Sequence, residues 1–425
     1  MTTEKPQSAV QEISNCFVLP QYDQNCISNI PKLILNLLGT QTTKSNPLKN
    51  HIETDNIRHS KIVLLVIDGF GFSQLQKHQQ QNAFLSALAT KGSLSAITSV
   101  YPSQTTNALM TLNTGLTPQE HGVFEYFIYL KEVGVVNALR FERINTKQRK
   151  LEEEGFSPNL MFRGKNIHQT LKDKGIPTFT HLPAINASGA CSKLIFEGST
   201  VVAAQKTSDL IVNLRKNLEQ TNGGYFFVHL DSLDTIAHYY GPQSDQFSAD
   251  LSSLTYLLQK ELIEKVDDKT AKETLLLITA DHGTIDTNPN NTSYLSRTQK
   301  PLTYRKCAKN NKRIPPTGSP RDIFLHIKEE KLEETKETLT QQLSSKAQVI
   351  ETSKAVKAGL FGIGEAPQEF FDRAGNLLIL PYDKETIWFS NPEGRKITFW
   401  GHHGGLNSEE MLVPFVAINL NCLKK

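Results

Sequence analysis

Cysteine is scarce in this chain: there are five in 425 residues, an odd number. Cys16, Cys26, Cys191, Cys307 and Cys422 are scattered and none falls in a C-x-x-C pair, which argues against a disulfide framework and against a cysteine zinc site. Long apolar runs are also lacking. The longest aliphatic run, Ile62 to Ile67, is far too short to span a bilayer, so no membrane partner is expected. The segment Met1 to Ser14 is polar and has no apolar core, unlike a secretory signal peptide. These absences lead us to expect a reducing, cytoplasmic compartment, although export by a route without a cleaved signal would leave no trace here. Nor does charge of one sign dominate: 46 Lys and Arg against 43 Asp and Glu leave +3. No basic stripe is interleaved with aromatics, so a nucleic-acid polymer is not an expected partner. Internal repeats and long low-complexity segments are missing, and nothing in the sequence specifies an oligomeric state.

What is present is an ordinary globular composition, 38% apolar and 21% charged, in a length that suits one large domain with insertions or two domains. Four short, continuous apolar runs, Ile62–Ile67, Tyr225–Leu230, Thr274–Thr279 and Val413–Leu420, suit strands buried on both faces of a parallel sheet. Helical patterns lie between them at Asn82–Ala89, Ser208–Glu219 and Phe247–Val266. Alternation of this kind predicts an α/β fold, a mostly parallel central sheet flanked by helices. The pattern breaks between Asn288 and Pro320, which reads as an irregular loop. A charged helix follows over about Lys328 to Ser345, with Leu332, Leu339 and Leu343 on one face and the charges on a solvated one. We therefore expect residues 57–287 and 397–425 to form the core and 288–396 an inserted cap. Residues 1–56 should be an N-terminal extension packing on that core, and Val133–Pro158 a smaller insertion.

Chemistry-bearing residues concentrate where apolar runs end. Asp68, Asp231 and Asp281 each close one run, the last followed by His282. A single strand-end Asp is commonly a cap or turn former. Three at one edge of a parallel sheet, where such folds bind ligands, would repel one another without cations between them. Asp234 and His238 are four apart, which on a helix places both on one face, either to share a metal ion or as a simple ion pair. Near the C-terminus, glycines flank His402 and His403 and leave the imidazoles uncrowded. Finally, Tyr101-Pro102-Ser103-Gln104-Thr105-Thr106-Asn107 joins a short strand, Ser95–Val100, to a helix that Gly115 closes. Ser103 there reads as an N-cap. A hydroxyl at a helix start beside a metal can also ionise and attack phosphorus, since the backbone N–H groups favour phosphate.

Taken in order, these pieces resemble the type I phosphodiesterase and nucleotide pyrophosphatase group of the alkaline phosphatase superfamily. They are Val66-Ile67-Asp68-Gly69, Tyr101–Thr105 with Thr114–Pro118 and His121-Gly122, Asp234-x-x-x-His238 with Tyr240–Pro242, Thr279–Gly283, and His403-Gly404. The resemblance implies two divalent metal ions, Zn2+ or else Mn2+. One would be held by Asp234, His238 and His403, the other by Asp68, Asp281 and His282 with the oxygen of Thr105. It implies Thr105, not Thr106, as the nucleophile, a covalent threonine intermediate, and a small phosphodiester or nucleotide substrate. The ligand immediately precedes the first glycine of its motif, so His403 and not His402 should bind metal. Departures concern the substrate. Val123-Phe124-Glu125-Tyr126 stands where relatives often carry an asparagine, so Tyr126 is a candidate replacement. Thr284 stands where Met is usual. Arg321, in Gly318–Asp322, is either a phosphate contact or part of a surface turn. Rival readings are a phosphomonoesterase on the same scaffold and a binding domain that has lost catalysis. A sulfatase is disfavoured, because no Cys-x-Pro-x-Arg segment exists, and so is a mutase, whose nucleophile is a serine.

Overall fold

Lys61–Ile67 carries Ile, Val and Leu at consecutive positions, and a strand of that composition is stable only when covered on both faces. In the computed structural model all seven of its residues are buried at the middle of a seven-stranded sheet. The structure describes residues 13–40, 46–52, 59–144, 150–296, 299–309, 311–390 and 396–424. The expected N-terminal extension, the 133–158 insertion and the 288–396 region therefore lie partly outside the described residues. Lys61–Ile67 pairs in parallel with Gly224–Leu230 on one side and Thr274–Thr279 on the other. Thr178–Pro183 and Thr200–Ala204 extend the sheet in parallel beyond Gly224–Leu230. Leu412–Asn419, expected among the parallel strands, instead runs antiparallel between Thr274–Thr279 and Ser93–Thr98. The reason is local: His402 and His403 lie at the edge where the parallel strands end, and a strand that starts at Leu412, soon after them, must enter from that edge.

Helices cover both faces, among them Ala83–Lys91, Thr207–Gln220 and Asp245–Leu257. The last continues as one wide turn over Leu258–Ile263, which buries Leu258, Leu262 and Ile263. Tyr22, Ile27, Ile30, Leu33 and Ile34 from the N-terminal segment join the main apolar cluster. Among the described residues, no helix is long and apolar enough to cross a membrane.

The stretch expected to be irregular before Pro320 holds a short strand, Ser293–Leu295, paired in parallel with Ile387–Phe389. Three-residue pairing across so many positions leaves no periodicity for sequence reading to find. Beyond it, Thr317–Ser319, Asp322–Leu325, Leu377–Pro381 and Ala347–Glu351 form a four-stranded antiparallel sheet. Its alternation is strict. Ile323, Leu325, Leu377 and Ile379 face a cluster completed by Leu339 of the helix Leu332–Gln342. Phe324, Leu378 and Leu380 face the other way, toward Phe124, Phe361 and Phe370. The outer side of the 332–342 helix is solvated, with Glu334 between Lys300 and Lys331.

Arg321 joins this second sheet to the central one. Its guanidinium is fully buried and grips Glu410 with Nε and Nη2 at 3.0 and 2.7 Å, while Nη1 donates to the Glu385 carbonyl. The same Glu410 carboxylate accepts from the Gly405 amide at 2.9 Å. Arg321 is therefore neither a phosphate contact nor part of a surface turn: all its charge is spent on a buried carboxylate. Breaking such a pair strands a buried charge, so Arg321→Ala should lose about 3–5 kcal/mol of unfolding free energy in denaturant titrations. A variant of normal stability with only a raised KM would return Arg321 to the substrate.

Candidate active site

Because the strands run parallel, their carboxyl ends share one edge. Ile67 pairs with Leu230 and Val66 with Thr279, so Asp68, Asp231 and Asp281 leave the sheet at nearly the same level. Gly69 turns the chain just after Asp68 at φ 72°, and a Cβ there would come within 3.0 Å of the Asp234 Cβ. The glycine thus lets Asp234 close in on the strand end. Asp234 and His238 lie on the helix Ser232–Tyr240, which Gly241 stops. Thr284 is structural: its hydroxyl donates to the Gly69 carbonyl at 3.1 Å.

The three histidines of the site are set in the same way. His238 Nδ1 donates to the Gly401 carbonyl at 2.8 Å, His282 Nδ1 to that of Gly283 at 3.0 Å, and His403 Nδ1 to that of Ser103 at 3.0 Å. A carbonyl can only accept, so each ring carries a proton on Nδ1, and in its neutral form it offers the Nε2 lone pair. Those lone pairs converge. His403 Nε2 is 3.3 Å from His238 Nε2, and His282 Nε2 is 3.3 Å from Asp281 Oδ2 and 3.5 Å from Asp68 Oδ1. The His282 and His403 rings stack at 3.7 Å.

The carboxylates are held from behind too. Asp68 Oδ2 lies 3.1 Å from His229 Nε2, and Asp281 Oδ1 accepts from the amides of Gly69 and His282 at 3.1 and 2.9 Å. Their other oxygens, Asp68 Oδ1 and Asp281 Oδ2, are buried without a donor, as is Asp234 Oδ1. Burial and the neighbouring Asp281 and Asp234 charges push the Asp68 carboxyl well up. Burial also opposes ionisation of Asp234, but His238, His403 and His282 outweigh it and hold that carboxyl well below the usual range. For His403, burial and the adjacent His282 push the ring well down, toward the neutral form that ligates. Lone pairs and bare carboxylate oxygens aimed at one another are stable only with cations between them. Two triads could each hold one ion, Asp68–Asp281–His282 and Asp234–His282–His403, with ligand atoms all within 4.8 Å of one another. His282 stands in both, between the two groups that the sequence resemblance kept separate.

Thr105 opens the helix Thr105–Thr114, and its Oγ1 lies 3.0 Å from His282 Nε2. The helix cap is Gln104, whose side chain accepts from the Thr105 amide at 3.0 Å. Ser103 does not cap. It donates to the Gly405 carbonyl at 2.8 Å and accepts from the Gly404 amide at 3.1 Å, tying the segment that carries Thr105 to the His403 loop. Thr106 is fully buried beside it.

A cavity of about 680 Å³ opens over these groups. Thr105, Asp68, Asp234, His238 and His403 line its floor, and Tyr126, Phe127, Trp388 and Phe399 are among its walls. Asp231 lines it without joining either triad; its Oδ2 accepts from Asn186 at 3.1 Å. His402 also lines it, but its backbone pairs with Ile285 and its ring is pushed down to about 3 by burial. Sequence reasoning missed His229, the one imidazole in an otherwise apolar strand, and Lys396, the one Lys or Arg among the described lining residues.

This fold and site define an alkaline phosphatase-like hydrolase. The model of the family "Type I phosphodiesterase / nucleotide pyrophosphatase" matches residues 62–406, and the chain belongs to that metal-dependent family. Among solved structures it is similar to murine ectonucleotide pyrophosphatase/phosphodiesterase 5, at 16% identity and TM-score 0.59, over 84% of this chain and 88% of that one. The human protein of the same name gives 17% and 0.59, over 84% and 87%. An inactive threonine-to-alanine variant of the murine protein, in complex with AMP, gives 17% and 0.58, over 84% and 88%. No curated protein matches this chain in a comparison of sequences. The site geometry predicts that His403→Ala loses metal on dialysis while His402→Ala retains it, measured by elemental analysis. Loss from His402→Ala alone would reverse the assignment.

Proposed function

We propose that this hydrolase cleaves a small phosphodiester or nucleotide pyrophosphate with Thr105 as nucleophile and two divalent ions, zinc or else manganese, as cofactors. The observation that carries the reading is the Thr105 hydroxyl, 3.0 Å from His282 Nε2 at a helix start and on the rim of both ligand triads. Asp68, Asp281 and His282 would hold one ion beside Thr105, and Asp234, His238 and His403 the other. Divalent ions bound there would lower the cost of ionising the threonine and offset negative charge on the phosphate and the leaving oxygen.

The chain's own groups do the rest. Gln104 fixes the Thr105 backbone, and the first turn of the helix presents amides to the phosphate. In-line attack forms the Thr105–phosphorus bond as the ester oxygen leaves, and water then frees the threonine. One helical residue onward, Thr106 is rotated by about 100°, and its buried hydroxyl serves no such role. Tyr126 and the aromatic walls would hold the organic part of the substrate, with residues 288–396 contributing to its choice through Pro320, Trp388 and Lys396. A phosphomonoester would carry one more negative charge, and Lys396 is the one cation the described lining offers it.

With zinc or manganese restored to stripped protein, bis-p-nitrophenyl phosphate should turn over faster than p-nitrophenyl phosphate. Thr105→Ala should still bind metal and lose at least about a thousandfold in kcat. Thr106→Ala should lose far less. Near-normal turnover by Thr105→Ala would withdraw the nucleophile.

A further inference from the structure

Behind the nucleophile, four ionisable groups are buried together with too little positive charge. Arg321 is committed to Glu410. That leaves Glu125 and Asp322, both 0% exposed, with no cation of their own. The Tyr101 phenol nearby is itself buried and without a partner. The two carboxyls face each other, and the Gln104 amide lies against Glu125. One oxygen of each is satisfied: Glu125 Oε2 accepts from the Tyr126 amide at 2.6 Å, and Asp322 Oδ1 from the Ser319 hydroxyl. The other two, Glu125 Oε1 and Asp322 Oδ2, are buried and accept no hydrogen bond. Two bare carboxylate oxygens cannot be packed together in a protein interior. An O–H placed on one of them satisfies both.

The location makes this more than a packing detail. Glu125 lines the cavity beside Gln104 and Thr105. Asp322 backs the other side, where a Cβ on Gly404 would meet its Oδ1 at 2.7 Å, directly behind the His403 loop. The pair thus clamps the Tyr126 segment to the Gly318–Asp322 turn, and Gln104 passes the restraint to the Thr105 amide.

We propose that Asp322 is a neutral acid whose Oδ2–H donates to the Glu125 carboxylate, and that this shared proton makes Glu125 and Asp322 positioning residues for the nucleophile loop. The positioning role rests on Thr105 as nucleophile; the shared proton does not. Burial supports it, since it raises Asp322 well above the usual range and Glu125 to about 7 against the counteracting Asp322, Tyr126 and Gln104 contacts.

Asparagine is the mimic of the neutral acid: its Oδ1 still accepts from Ser319 and its Nδ2 donates to Glu125. Asp322→Ala should therefore lower kcat for bis-p-nitrophenyl phosphate by about tenfold or more with KM little changed, the signature of a displaced reacting group. Asp322→Asn should recover most of that loss. Infrared spectra of the metal-loaded full-length protein at neutral pH should show a protonated-carboxyl carbonyl band that Asp322→Asn lacks. Absence of the band from wild type would overturn the shared proton. Asp322→Asn as impaired as Asp322→Ala would overturn the positioning role. Thr105→Ala run alongside separates the two readings: if it stays active the nucleophile falls and the positioning role with it, while the band still decides the proton.

Discussion

Electron pairs that repel one another govern the arrangement of this active site. Three bare carboxylate oxygens and three imidazole Nε2 atoms converge within a few ångströms, and the three histidines, Asp68 and Asp281 are each held from behind by a partner that faces away from the centre. Backbone carbonyls fix the three histidines through Nδ1. His229 backs Asp68, and the amides of Gly69 and His282 hold Asp281. Such an arrangement is unfavourable without cations and favourable with them, so stability given up at the strand ends would be returned by a bound metal. Much of the surrounding fold supports that arrangement. The parallel sheet brings the acids to one level, Gly69 lets the 232–240 helix approach, and Ser103 ties the Thr105 segment to the loop that carries His403.

The second sheet stands in a related position. Its Asp322–Leu325 strand buries Arg321 against Glu410 and places Asp322 against Glu125, so the region expected to set substrate choice also braces the floor of the cavity. Loops on a rigid frame usually carry specificity. Here one turn, Gly318–Asp322, lines the cavity through Gly318, Ser319 and Pro320 and anchors the frame through its next two residues. Substitutions two positions apart in that turn would therefore act on different things, one on the substrate and the other on folding.

Membership of the type I phosphodiesterase and nucleotide pyrophosphatase family gives the class of hydrolase, and the low identity to the solved relatives leaves the cavity walls to this chain. Aromatic and aliphatic side chains are prominent on those walls, and Lys396 is the one Lys or Arg among the described lining residues.

The sequence by itself determined the parts that depend on local pattern. Continuous apolar runs mark the buried strands, strand-end acids mark the edge, and the spacing of Asp234 and His238 marks a helix face. Each of these is a short-range property of the chain, readable from period and composition. The motif order then pointed to the family. What only the tertiary structure decided depends on contacts between distant segments. Leu412–Asn419 is antiparallel because of where the chain re-enters the sheet, not because of its composition. Arg321 is structural because Glu410, 89 positions away, takes up its charge. Ser103 looks like a cap until Gly404 and Gly405 fold against it. His282 belongs to both ligand triads, and Glu125 meets Asp322, for the same physical reason: a buried polar group is defined by its partner, and the partner's distance along the chain leaves no trace in the local sequence.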